Sequence, residues 1–303
     1  MKVDPVLGHL LGDLRAGRFR PRAVRRFVRE GVRHAIDLAW SLRSLRRSFF
    51  VASAIMAAVL VFVGATLSAA FPGGLRPATW IAEGLLFVAV FALTLLQLGL
   101  VRAETSREAY ERFTFPNVLT LLRLLVVPYL VEALRGVVAG ADETAARAVF
   151  GLLLVASVTD ALDGMLSRLL RQQSDFGRIY DPVVDAVFHS ALAVALWSGG
   201  AVSHAYLVLV LLRYLLPPVA GSFLYLAGAP FQVKSTFMGK LSSLVLSVFE
   251  CALAAAFAFS SPTLMTVATA WLEPASVVVA AGTVLFFLGR GVRLIRRAPR
   301  KHP

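Results

Sequence analysis

The sequence predicts an all-α, polytopic integral-membrane bundle. Three observations carry that reading. Hydrophobic residues make up 58% of the 303 and charged residues only 16%, whereas a soluble domain carries about 25% charged residues. Mean hydropathy is +0.73, more apolar area than one water-facing core can bury. The apolar residues also gather into about eight stretches, each near the roughly 20 residues that cross a bilayer. Disorder is thereby excluded, and the composition argues against an ordinary cytosolic globule.

The chain opens on a basic segment, residues 1–48. Twelve Lys/Arg fall within residues 1–49, and no apolar core of a cleavable signal peptide accompanies them. From Pro21 the pattern turns amphipathic. Val24, Phe27, Val28, Val32 and Ile36 recur at three- and four-residue steps, with Arg25, Arg26, Arg29 and Arg33 between them. Such a helix lies in the headgroup plane with its arginines at lipid phosphates. Continuity with a membrane span favours anionic lipid over nucleic acid as its partner.

Two accessory spans follow within residues 49–112, at about 49–71 and 79–101, separated by the Pro72-Gly73-Gly74 turn. Six further spans follow within residues 113–296, at about 117–136, 146–167, 179–198, 203–226, 241–260 and 269–289. A basic cytoplasmic tail closes the chain at 297–303. Cys251 is the single cysteine, which excludes an internal disulfide framework and a cysteine-based zinc cluster. The formal net charge is +13. With the N-terminus in the cytoplasm, the outside loops hold only Arg76, Arg135 and Arg147. That asymmetry places both termini and the hinge between spans four and five on the cytoplasmic side. A bacterial inner membrane is the expected location.

The hinge carries the chemistry. It reads Asp160-Ala-Leu-Asp163-Gly164-Met-Leu-Ser167-Arg168 and then Gly177-Arg-Ile-Tyr-Asp181-Pro-Val-Val-Asp185. On a helix Asp160 and Asp163 lie about 60° apart, and Asp181 and Asp185 about 40° apart, so each pair shares a face. The short connection predicts antiparallel neighbouring helices whose pairs meet. Four carboxylates in a low dielectric repel one another, and divalent cations are the natural remedy. An all-oxygen ligand set favours two Mg²⁺ or Mn²⁺ ions over zinc, and paired ions suit phosphoryl chemistry. Gly164 and Gly177 permit close approach of a ligand to backbone. Arg168 can neutralise a phosphate. The expected substrate carries a pyrophosphate and a lipid.

This stretch resembles the signature of the CDP-alcohol phosphatidyltransferases (CDP-alcohol phosphotransferases), D-x2-D-G-x2-A-R-x8-G-x3-D-x3-D. It matches at Asp160, Asp163, Gly164, Arg168, Gly177, Asp181 and Asp185, with Ser167 in place of the usual alanine. Pro116-Asn117-Val-Leu-Thr120-Leu-Leu-Arg123 looks like the family's opening segment, and Gly239-Lys240 before Ser243 like a later one. The resemblance implies that Asp160, Asp163, Asp181 and Asp185 ligate the metals, with Asp185 also the general base. It implies that Gly164, Ser167, Arg168 and Gly177 lie along the CDP moiety, with Asn117, Thr120 and Arg123 lining the same cleft. It also implies a homodimer.

The implied reaction moves a phosphatidyl group from CDP-diacylglycerol to a small polar alcohol and releases CMP. Glycerol 3-phosphate is the favoured acceptor, because Lys240 and Arg213 could meet its phosphate. Inositol phosphate, serine or a phospholipid hydroxyl stay open, since Ala186 stands where glycerol-phosphate users commonly carry lysine. A transporter with an intramembrane carboxylate site is the alternative from another class, and an inactive scaffold a third. Arg213 and Glu250, mid-span, are expected either to pair or to leave Arg213 for the acceptor. His189 reads as a satisfied core histidine and Cys251 as a small apolar filler.

Overall fold

A computed structural model describes residues 5–103, 106, 108–226 and 237–297; side chains at 5–7, 161, 163, 221–226, 290 and 292–297 fall outside the description. Among the described residues no strand forms, and only two isolated bridges, Arg102 with Ala109 and Ala103 with Ser174, interrupt the helical pattern. The helices in order are α1 (Pro5–Ala16), α2 (Pro21–Ser41), α3 (Arg43–Ala70), α4 (Pro77–Leu96), a 3₁₀ turn (Leu98–Leu100), α5 (Phe115–Leu125), α6 (Val127–Val138), α7 (Glu143–Leu169), α8 (Asp175–Ser198), α9 (His204–Leu226), α10 (Phe237–Ala258), α11 (Pro262–Thr266) and α12 (Glu273–Arg297). A π-helical turn, Val267–Leu272, joins the last two.

Local chemistry sets the helix starts. Proline occupies the first turn of α2, α4, α5, α6 and α11, where its missing N–H costs nothing. Asp142, Ser174 and Ser261 cap α7, α8 and α11 by accepting from the backbone N–H of Ala145, Gly177 and Leu264.

Among the described residues six helices are long and apolar enough to cross a membrane, or seven if the α5–α6 pair, bent by 44°, is one span. Within α9, residues His204–Ala220 form a shorter apolar helix. The all-α polytopic bundle stands, and each of the eight expected stretches falls on these helices, without confirming eight full spans. The bend has a local cause: Pro128 sits in the first turn of α6, so the helix cannot continue its hydrogen-bond ladder across Val126.

The helices α5 and α6 form the centre of the bundle. Both pack against α7 and α8, while α10 lies on α7 and α12, and α9 lies on α8 and α12. This corrects one expectation. Among the described residues α7 and α8 each pack along α5 and α6 instead of forming a neighbouring pair. Arg123 of α5 stands between Asp160 of α7 and Asp185 of α8, and its charge offsets the repulsion between their carboxylates.

The accessory helices α3 and α4 flank this centre. Leu45, Phe49, Met56, Leu60 and Leu67 of α3 are buried at four- and seven-residue steps. Phe62, Ile81 and Leu85 point outward and are well exposed, as lipid-facing residues must be. At the crossing of α3, α4 and α6, a Cβ on Gly64 would come 2.9 Å from the Tyr129 ring, so only glycine fits there. The basic segment forms two helices. Leu10, Leu11 and Leu14 of α1 are buried where α1 packs on α2. Val24, Val28, Val32, Ile36 and Trp40 leave an exposed apolar stripe along α2.

Candidate active site

Helix α5 supplies the hub of the site. Arg123 is 4% exposed. One of its terminal nitrogens donates to Asp160 of α7, and the other donates to Asp185 Oδ1 of α8 at 2.7 Å. The two halves of the aspartate constellation therefore meet through a guanidinium. One turn earlier, the Thr120 hydroxyl lies 3.0 Å from Asp181 Oδ1. One further turn back, Asn117 Oδ1 accepts from the Ser174 hydroxyl at 3.0 Å. That hydroxyl in turn accepts from the Gly177 N–H at 3.1 Å. Asn117, Thr120 and Arg123 recur at helical spacing on α5, and this shared face is why all three reach α7 and α8.

Beside the hub lies a cleft of about 190 Å³. Six of the seven residues expected along the nucleotide line it: Asn117, Thr120, Gly164, Ser167, Arg168 and Gly177, together with Asp181. The seventh, Arg123, sits deeper, in a small hollow shared with Asp160 and His189. Gly177 brings its backbone close to the polar groups of the cleft. A Cβ there would sit 3.4 Å from Asn117 Oδ1, 3.5 Å from Ser174 Oγ and 3.7 Å from Asp181 Oδ2. Ser167, the departure from the family signature, donates to the Gly164 carbonyl at 3.1 Å. Its hydroxyl is thus satisfied within its own helix.

Asp163 belongs to α7, but its side chain is outside the described residues. Among the described residues no group of three His, Cys, Asp or Glu side chains is close enough to hold an ion. The donor set still has the right chemistry. Asp160, Asp181 and Asp185 offer only carboxylate oxygens, which suit hard divalent cations. Arg123 now supplies the positive charge between two of them.

The expected Arg213–Glu250 alternative resolves against a pair. Glu250 Oε2 lies 2.8 Å from His189 Nδ1, and Oε1 accepts from the Tyr206 hydroxyl at 3.1 Å. Arg213 instead donates to Ser242 Oγ at 2.6 Å, to the Gly239 carbonyl at 2.7 Å and to Ser243 Oγ at 2.8 Å. Its guanidinium stacks 4.0 Å over the Tyr214 ring. Gly239, Ser242 and Ser243 offer Arg213 three acceptors at the start of α10, next to exposed Lys240. His189 is buried and satisfied. Cys251 is half-buried and lies 3.5 Å from Ser157 Oγ.

Sequence reasoning missed Ser174, Gln172, Gln173 and Arg178, which complete the cleft wall. Ser174 carried a readable signal, a helix-capping serine just before an apolar run. The others carried none.

A family profile described as CDP-alcohol phosphatidyltransferase matches residues 113–287. The chain belongs to the CDP-alcohol phosphatidyltransferase family. Similar proteins agree. The probable phosphatidylglycerophosphate synthase of Mycobacterium tuberculosis is 31% identical over 185 residues, covering 61% of this chain and 81% of the relative. The CDP-diacylglycerol–glycerol-3-phosphate 3-phosphatidyltransferase of Rickettsia felis is 29% identical over 129 residues, 42% of this chain and 67% of that protein. The CMP-forming cardiolipin synthase of Oryza sativa subsp. japonica is 39% identical over 85 residues, 27% of this chain and 24% of that protein. This CDP-alcohol phosphatidyltransferase is therefore a multi-pass membrane enzyme of phospholipid synthesis.

Proposed function

We propose that the transferase moves a phosphatidyl group from CDP-diacylglycerol to glycerol 3-phosphate and releases CMP. One observation carries the reading: Arg123 gathers Asp160 and Asp185 at the edge of a cleft walled by the nucleotide-type residues. The names of the M. tuberculosis and R. felis relatives support this acceptor.

In the proposed reaction Asp185 takes the proton of the acceptor hydroxyl. The freed oxygen bonds to the phosphorus bearing the diacylglycerol, and the bond from that phosphorus to CMP breaks. Arg168 and Arg178 on the cleft wall balance the pyrophosphate charge. Asn117, whose amide nitrogen is buried with no protein partner, offers a donor to the nucleotide. Asp160, Asp163, Asp181 and Asp185 would hold Mg²⁺ or Mn²⁺, which supplies neutralisation of the oxygens that change charge. Lys240 meets the acceptor phosphate, and Arg213 fixes the turn that presents it. The site faces the cytoplasm, where the excess of Lys/Arg places it, and the basic α2 rests on anionic lipid.

A second acceptor has its own support. The rice relative is named a cardiolipin synthase, and Ala186 follows Asp185, which makes a phospholipid hydroxyl the competing outcome. An acceptor screen with labelled CDP-diacylglycerol and mass analysis of the lipid product separates the two. Phosphatidylglycerophosphate supports the proposal. Cardiolipin, or a product of serine or inositol phosphate, replaces the acceptor.

A further inference from the structure

The family match begins at residue 113, so the segment joining α4 to α5 lies outside it. That segment is nevertheless laced to the loop between α7 and α8, which walls the nucleotide cleft. Ala103 bridges Ser174, and the Asp175 N–H donates to the Arg102 carbonyl at 3.1 Å. The Tyr110 hydroxyl lies 3.2 Å from the Arg171 carbonyl and 3.1 Å from that of Gln173. Arg171 has φ +53°, a left-handed conformation that costs a non-glycine residue about 1 kcal/mol. Tyr110 thus bonds the loop at the residue least content with its backbone. Burial pushes the Tyr110 phenol above its ordinary range, so it remains a donor at neutral pH.

The side-chain chemistry reaches further in. Asp175 is fully buried. One of its oxygens pairs with Arg102 Nε at 2.9 Å, and the other with Arg178 at 2.8 Å. Arg178 lines the cleft, as do Gln172, Gln173 and Ser174. A path of direct contacts therefore runs from Arg102 through Asp175 to Arg178. The far side of the segment is anchored on the accessory unit. Ser44 donates to the Glu111 carbonyl at 3.0 Å, and the Phe113 N–H donates to Ser48 Oγ at 3.0 Å.

We propose that Arg102 and Ala103, with residues 108–113, form a strap through which the N-terminal accessory unit sets the shape of the cleft, with Arg102 and Tyr110 as positioning residues for CDP-diacylglycerol. This rests on the reading of the cleft as the nucleotide site. The two added spans thereby gain a role, holding the strap's ends while the strap holds the loop. Neither residue touches the substrate. Arg102 acts through Asp175 on Arg178, and Tyr110 acts on the loop backbone.

The test uses the full-length enzyme in mixed micelles, reading KM for CDP-diacylglycerol, kcat and the thermal midpoint together. Arg102→Ala is expected to raise KM about ten-fold with kcat changed less than about two-fold, the scale of one lost charge-assisted hydrogen bond. Arg102→Lys should recover part of that loss. Tyr110→Phe removes one hydroxyl and should raise KM about three-fold; it carries the test if Arg102→Ala does not fold. Gly177→Val, which fills the cleft, is the control. Unchanged KM in Gly177→Val overturns the nucleotide reading of the cleft. Raised KM there, with unchanged KM in folded Arg102→Ala, Arg102→Lys and Tyr110→Phe, overturns the strap alone. A lower midpoint without a change in KM counts against it equally, since a merely structural segment behaves that way.

Discussion

Replacing Arg123 with methionine keeps the side-chain volume and deletes the charge between Asp160 and Asp185. The cost depends on how dry that charge is. The Arg123 side chain is 3% exposed, whereas Asp160 and Asp185 are 35% and 27% exposed. Exposed ion pairs contribute about 0.2–1 kcal/mol, and breaking a fully buried pair costs about 3–5 kcal/mol. One buried and two half-exposed partners fall between, so Arg123→Met should cost about 2–3 kcal/mol. In a chain of this size that lowers the thermal midpoint by roughly 5 °C. The assay is thermal unfolding in detergent with a chelator present. Adding Asp160→Asn should return part of the stability, because the remaining penalty is repulsion between two carboxylates. Millimolar Mg²⁺ should return part of it too, by binding the folded state. An unchanged midpoint for Arg123→Met, or a double variant weaker than the single, would refute the account of the hub.

Other perturbations follow from the same geometry. Asp185→Asn should lower the rate of CMP release by about 10²–10⁴-fold, the range of a lost general base, while circular dichroism stays unchanged. Glu250→Ala strips His189 and Tyr206 of their partner and should destabilise the fold by about 2–4 kcal/mol, read from denaturation in micelles. Exchanging Arg213 and Glu250 should abolish activity, since each has its own partners; wild-type turnover in that swap would contradict the separate assignments.

Much of the site was legible because its chemistry is local in sequence. The aspartates sit at helical spacings, so Asp160 and Asp185 could be assigned to facing surfaces from spacing alone. The resemblance of the P-N-x-x-T-x-x-R run marked Asn117, Thr120 and Arg123 for the cleft, and α5 carries all three to α7 and α8. What could not be read was which helix stands between α7 and α8. A short connection suggests neighbours, but α5 packs against both, with Arg123 bonded to a carboxylate of each. The shape of the third span could not be read either. Hydropathy sees apolar length, not the effect of Pro128, which bends the third span. Mid-span charge suggested that Arg213 could pair with Glu250, yet each had nearer partners from other helices. Tyr110 and Arg102 were silent in sequence, since their partners lie more than sixty residues away.

The most direct test of the account is mass analysis of the lipid formed when the purified enzyme, Mg²⁺, labelled CDP-diacylglycerol and glycerol 3-phosphate are combined. Phosphatidylglycerophosphate appearing in equal amount with CMP, and disappearing in Asp185→Asn, is the predicted result. CMP release that proceeds undiminished in Asp185→Asn, or none with any polar alcohol in a folded preparation, would contradict it.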